Sequence, residues 1–299
     1  MFRREHHRAI ASILADMDAD VLQERQCFFG GGTAISMLLD EYRKSVDVDF
    51  LVPSEDGYRW LRRNIHEKSF GPLFKVAPQL ATQDGIRTNR YGIRALLRVN
   101  ETAIKLEIVS ARNALHGCSV PELPVPVLNQ ESLFTEKLLA NADRWADASL
   151  SSRDAIDLAH MMNAWGSIPT ASLNAARHAY GATVDQALFK AAQRLQDPDW
   201  VKRCCQQMDM ELDASRPIIG RFVEQVCANS ETDSTLRRAV SGKGLLSALA
   251  DRHAYKLAQA PGLLALTQEQ QAALRKRLGD VGRSADATQR PEPDDGPSP

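Results

Sequence analysis

Three consecutive glycines, Gly30 to Gly32, follow two aromatics and precede Thr33, and one short helical run later the chain reads Asp47-Val48-Asp49. No other stretch restricts the fold as strongly. In AISMLLDEY, Ile35, Leu38 and Leu39 share the spacing of one buried helix face. Beyond it, Val46, Val48 and Phe50 alternate with Ser45, Asp47 and Asp49, the period of a strand. Residues two apart on a strand share a face, so the spacing predicts Asp47 and Asp49 on one side and Val48 and Phe50 on the other. Two carboxylates held together repel unless a divalent cation lies between them, and hard oxygen ligands suit Mg²⁺. A loop without Cβ atoms lets phosphates reach backbone N–H groups, and a helix beginning near Thr33 turns its positive end toward them. A strand, a glycine turn, a helix and an acidic strand thus form a place for a nucleoside triphosphate with Mg²⁺.

The rest of the chain divides by texture. Residues 4–25 read as one helix with Ile10, Ile13, Leu14, Met17, Val21 and Leu22 on its stripe, leading into a strand over Cys27–Phe29. Pro53 ends the acidic strand, and Ser54 caps a helix carrying Tyr58, Trp60, Leu61 and Ile65. Strand-like runs follow, LFKVAPQL, GIRTNRYGIRALLRV and TAIKLEIV, with Asn100-Glu101 as a hairpin turn between the last two. In the last run Ile104, Leu106 and Ile108 take one face, leaving Glu107 on the other with the polar site. Pro121, Pro124 and Pro126 mark an extended connection. Two helices then follow, in LNQESLFTEKLLANADRW and from SSRDAIDLAHMM, and beyond Trp165 a bundle of four to six runs to about residue 278, with Trp165 and Trp200 expected in core positions. The expected fold is α/β (α+β): a nucleotide-binding domain with a mixed sheet over 1–128, a helical domain over 129–278 and a disordered tail over 279–299, where apolar residues run out.

Gly31-Gly32-Thr33, a helix and Asp47-Val48-Asp49 resemble the GG[S/T]…DxD signature of the DNA polymerase β-like nucleotidyltransferase superfamily. The fuller GGTA…RKSVDVDF is similar to the AbiEii/AbiGii-type nucleotidyltransferase toxins of bacteria, over roughly residues 25–165. Toxins of this type carry K…[R/K]D..DL further on, and this chain reads Lys137, then Arg153-Asp154-Ala155-Ile156-Asp157-Leu158. The resemblance implies that Gly31, Gly32, Thr33 and Ser45 bind nucleotide and that Asp47 and Asp49 hold Mg²⁺. It also implies a third carboxylate at Glu107, triphosphate binding by Lys137, and a catalytic centre of Asp47, Lys137 and Asp154. The implied reaction moves a nucleotide from an NTP to RNA, especially a tRNA 3′ end, in a toxin whose cognate antitoxin is encoded nearby. Read without the resemblance, Glu107 is an exposed strand residue, Lys137 a surface lysine and Asp154 a helix-dipole partner. A small-molecule nucleotidyltransferase and a non-catalytic nucleotide- or partner-binding module are the alternatives.

Composition sets outer bounds. With 43% hydrophobic and 25% charged residues, the 299-residue chain is ordinary for a globular protein. A formal net charge of -1 excludes a global basic field, so any RNA must be met by local positive charge. Five cysteines without C-x-x-C spacing fit reduced thiols rather than a disulfide framework or zinc site. The start MFRREHHRAI has no apolar run behind it, so neither signal peptide nor membrane span is expected, and the expected location is cytoplasmic.

Overall fold

A computed structural model describes residues 2–66, 69–82, 85–111 and 113–240, with side chains to Asn229. The single helix expected over 4–25 is two, α1 (Glu5–Asp16) and α2 (Ala19–Glu24). Met17 leaves the helical path with extended backbone and bridges Phe74, while the Asp18 carboxylate accepts the N–H groups of Asp20 and Val21 to start α2. Helix α1 has no cap of its own. The chain just ahead of it is anchored instead: the buried carboxylate of Glu41 accepts from the N–H of Arg3 at 2.5 Å and of Arg4 at 3.0 Å, and pairs with His7 Nδ1 at 2.9 Å. An acid at that position also complements the helix dipole.

Strand β1 (Phe28–Gly30) runs straight into α3 (Gly31–Leu38), which stops at Leu38, short of the expected Tyr42. Asp40 and Glu41 then take left-handed backbone, φ +56° and +54°, and turn the chain back. Strand β2 (Val48–Val52) begins at Val48, so Ser45 to Asp47 precede the ladder and Val46 is exposed rather than packed with Val48. The next elements are α4 (Glu55–Asn64), two short strands β3 (Gln79–Leu80) and β4 (Arg87–Thr88), and the hairpin β5 (Gly92–Val99) and β6 (Thr102–Ser110). The hairpin turns at Asn100, φ +52°, as its sequence predicts. The run expected to be continuous over 85–99 breaks because Asn89 Oδ1 accepts the N–H groups of Tyr91 and Gly92. Finally β7 (Gly117–Cys118) and β8 (Val127–Leu128) close a mixed sheet in the order β3-β5-β6-β2-β1-β8-β7, with β4 beside β5. Strands β2 and β6, and β1 and β8, pair parallel.

Alternation along these strands feeds two apolar clusters. Phe29, Val48, Phe50, Ile93, Leu97, Ile104, Leu106 and Ile108 join residues of α1, α2 and α4 on one face. On the other, Phe28, Leu51 and Leu128 meet Ile35 of α3 and the helices that follow: α5 (Gln130–Arg144), α6 (Arg153–Trp165), α7 (Thr170–Tyr180), α8 (Thr183–Arg194), α9 (Pro198–Gln207) and α10 (Leu212–Val240). Trp165 and Trp200 are half-buried at its margin. Residues 1–227 form one compact unit, and the boundary expected at 128/129 falls inside it, between β8 and α5. Residues 228–299 form a second unit, of which the described part, to Val240, is the end of α10. The helices expected beyond 240 and the tail at 279–299 lie outside the described residues. No helix among the described residues is long and apolar enough to cross a membrane.

Candidate active site

The glycine turn and the acidic strand meet because β1 and β2 are neighbours. Gly30 lies opposite Asp49 in the ladder, and Asp49 lies opposite Glu107 on its other side. Gly31 has φ +69°, and a Cβ built on it would stand 2.6 Å from Asp49 Oδ2. The missing side chain is therefore the space the Asp49 carboxylate fills, on backbone that L-residues avoid. A Cβ on Gly32 would meet the Arg43 guanidinium. Thr33, fully buried, donates its hydroxyl to Ser45 Oγ at 2.8 Å and ties the start of α3 to the segment before β2.

Charge is unevenly settled here. Burial raises the Asp49 pKa to about 6, reinforced by Asp47 and Glu107 and opposed by Lys105 and Lys137. Asp47, Asp49, Glu107 and Lys137 thus share one electrostatic neighbourhood. Glu107 is partly compensated: Arg94 Nε binds one of its oxygens and Lys105 Nζ the other. Against its burial, these two cations hold the Glu107 carboxyl below its ordinary value.

Lys137 is not a surface residue. Its amine is buried between Asp154 Oδ1 at 2.9 Å and Asp157 Oδ2 at 2.6 Å. Asp154 also accepts from Arg144 Nε at 2.6 Å and Nη2 at 2.9 Å. Burial pushes the Asp154 carboxyl up, but Lys137 and Arg144 outweigh it and hold it well below the usual carboxylate range. Asp157, without exposure to solvent, accepts from Tyr42 at 2.5 Å and from Arg43 at 2.6 and 2.9 Å. His160, one turn further along α6, stacks on the Tyr42 ring at 3.9 Å. Asp154 is thus tied to Lys137, whose charge also acts on Asp49, and Asp157 is tied to Arg43, which lies against the glycine turn.

Tyr42, Arg43, Arg144 and His160 were not singled out from sequence. Arg144 left a signal: it stands two helical turns after Lys137, on the same face of α5. Arg43 lay within RKSVDVDF, but its partner is 114 residues away and nothing local announces it.

Among the described residues, no three His, Cys, Asp or Glu side chains are gathered closely enough to hold a metal ion. Asp47 and Asp49 alone still fit Mg²⁺, which is commonly bound by one or two carboxylates plus substrate phosphates rather than by an all-protein cage. The charge of Asp47 and Glu107, which adds to burial in raising the Asp49 pKa, is the kind a divalent cation relieves.

A family model described as "Nucleotidyl transferase AbiEii toxin, Type IV TA system" matches residues 12–225. The chain belongs to the AbiEii family. Solved structures similar to this AbiEii chain include a candidate nucleotidyltransferase from H. pylori, with 16% identity, TM-score 0.44, and coverage of 76% of this chain and 95% of that one. JHP933 from Helicobacter pylori gives 15%, 0.43, 79% and 96% on the same measures. An antigenic nucleotidyltransferase-like protein from Paracoccidioides brasiliensis gives 15%, 0.33, 63% and 94%. No curated protein matches.

Proposed function

We propose that this AbiEii chain transfers a nucleotide from an NTP to the 3′ end of an RNA, especially a tRNA, as the cytoplasmic toxin of a pair with a cognate antitoxin. The observation that carries the reading is the fit of Asp49 into the space left by Gly31, which brings a phosphate cradle and an uncompensated carboxylate pair together. The backbone from Gly31 to Thr33 holds the polyphosphate at the positive end of α3, and Ser45 steadies that turn through Thr33. Asp47 and Asp49 would hold Mg²⁺, which would neutralise developing charge at the phosphate. Glu107, opposite Asp49 in the sheet but not gathered with the pair around a common point, would join as a third carboxylate only by moving off Arg94 and Lys105.

Lys137 supplies a point charge to triphosphate oxygens by exchanging off Asp154 and Asp157. Loss of that partner makes the Asp154 carboxylate more basic, suiting it to take a proton from the acceptor hydroxyl. Arg144 keeps it oriented meanwhile. The deciding experiment incubates the protein with each labelled NTP, total RNA and Mg²⁺. Label on RNA, dependent on Asp47, is expected; label on no RNA under any NTP would overturn the reading.

A further inference from the structure

The acidic pair is one end of a longer row. Reading across the sheet in register, Gly30 of β1 faces Asp49 of β2, Asp49 faces Glu107 of β6, Glu107 faces Arg94 of β5, and Arg94 faces Arg87 of β4. Residues directly paired across a sheet share a face. One row therefore runs from the glycine turn through the carboxylates to two arginines. Beside it on the same face, Lys105 pairs with Leu96, and Arg98 pairs with Ala103 and Gln79. Lys105, Leu96, Arg98 and Arg87 are exposed, and Arg94 is half-buried.

Among the described residues of the first unit, this face is open for a structural reason. The helices following β8 pack on the part of it made by β8, β1 and β2, through Leu128, Phe28 and Leu51. The outward residues of β6 and β5, Ala103, Lys105, Leu96 and Arg98, remain exposed. Among the described residues, the uncovered part carries Arg94, Arg98 and Lys105 beside Glu107, whose charge Arg94 and Lys105 already answer. Among the described residues, Arg98 donates to the Ala81 carbonyl at 3.0 Å, a partner without charge. A chain of net charge -1 thus concentrates cations on the face that leads to its acidic pair.

We propose that the outer face of β4, β5 and β6 is the track for the acceptor's single-stranded 3′ segment, its phosphates lying on Lys105, Arg94, Arg98 and Arg87 and its terminal hydroxyl arriving at Asp47 and Asp49. The proposal rests on the RNA acceptor of the preceding section and names the surface that receives it. Neighbouring strands lie about 4.8 Å apart, so Arg94 and Arg87 stand roughly 10 and 14 Å along the row from Asp49, within reach of a few nucleotides. Phosphate contacts of this kind position a strand without reading its sequence. A protein partner fits less well, because interface cores are depleted of charge and enriched in apolar and aromatic residues. Leu96 is the exposed large apolar side chain that the described part of this face offers.

The test is binding of a 5′-fluorescent single-stranded RNA to the full chain, followed by anisotropy across a salt series. Arg98→Gln, at an exposed position, is expected to weaken binding several-fold for any sequence and to flatten the salt dependence by about 0.7 in logarithmic slope. Leu96→Lys should do the reverse. Stabilisation by MgATP should be the same in both variants as in the parent. Slopes and affinities unchanged in both variants would overturn the proposal, as would a parent protein that binds poly-glutamate in preference to RNA. Transfer of labelled nucleotide is scored separately. Altered RNA slopes without any transfer would sink the nucleotidyl-transfer reading and uphold the surface, whereas intact transfer with unaltered slopes would sink the surface alone.

Discussion

Two acidic clusters lie within this unit, and they are built on opposite principles. Around Asp49 a carboxylate is buried beside other carboxylates, and its pKa rises to about 6. Around Asp154 and Asp157 carboxylates are buried at least as deeply, yet both are held below their ordinary values, because the buried Lys137 and Arg43 and the half-buried Arg144 pair with them. The same residue type is driven in opposite directions by what shares its burial. The first cluster is left short of positive charge and is suited to take a cation with its phosphates. The second is complete in itself. It braces α5, α6 and the 42–43 segment, and so holds Arg43 against Gly32. The first cluster lacks a cation to complete it; the second holds the binding geometry and keeps Lys137 and Asp154 paired until a nucleotide draws Lys137 away.

The strongest way to break this contrast is to remove charge from the first cluster. Asp47→Asn or Asp49→Asn should cost several kcal/mol of transition-state stabilisation, roughly a thousandfold or more in transfer rate. Their melting temperatures should hold or rise, since repulsion is relieved. Mg²⁺ should stabilise the parent but not Asp47→Asn. A normal rate in either variant, or a clear fall in melting temperature, would remove the distinction.

In the second cluster the same kind of change should act on stability. Asp157→Asn leaves Arg43 and Lys137 buried with one carboxylate charge fewer, and breaking such a pair costs about 3–5 kcal/mol. The urea midpoint should drop accordingly, and a midpoint within error of the parent would show the cluster to be dispensable.

His160 gives the pH test. Burial lowers its pKa from 6.5 to about 4, with Asp157 opposing and Arg43 assisting. Between those values the unfolded chain takes up a proton that the native protein refuses. The stability present above about pH 6.5 is therefore lost as pH falls toward 4. His160→Phe, which keeps a ring against Tyr42, should remove up to about 3 kcal/mol of that decline. Parallel urea titrations at pH 7 and pH 4.5 suffice, and an identical decline in both proteins would mean that His160 is protonated in the fold.

The smallest effect is expected at Glu107, which lies beside the first cluster but is answered like the second. With Arg94 and Lys105 on its oxygens, Glu107→Gln should alter stability by no more than about 1 kcal/mol. Transfer should stay within about tenfold, or ~1.4 kcal/mol. A loss as large as that of Asp49→Asn would place it among the metal ligands.

Local pattern carried the unit that matters most. Glycines without Cβ atoms, a short apolar helix stripe and Val48 alternating with Asp49 specify a strand, a turn, a helix and an acidic strand from one stretch of chain, because φ/ψ preference and side-chain period are local properties. The hairpin at Asn100 and the facing of Glu107 away from Ile104, Leu106 and Ile108 follow in the same way. The start of β2 did not: alternation runs on through Val46 and Ser45, but the ladder begins at Val48, where β6 first offers a partner, with β1 joining at Asp49. Nor could pattern say that Glu41 would anchor the chain just ahead of α1 across 37 residues, that Arg43 would find Asp157, or that Arg94 would lie opposite Glu107. Period decides which face a side chain takes. Which charge waits across the gap is decided by register and packing, and those exist only once the chain has closed on itself.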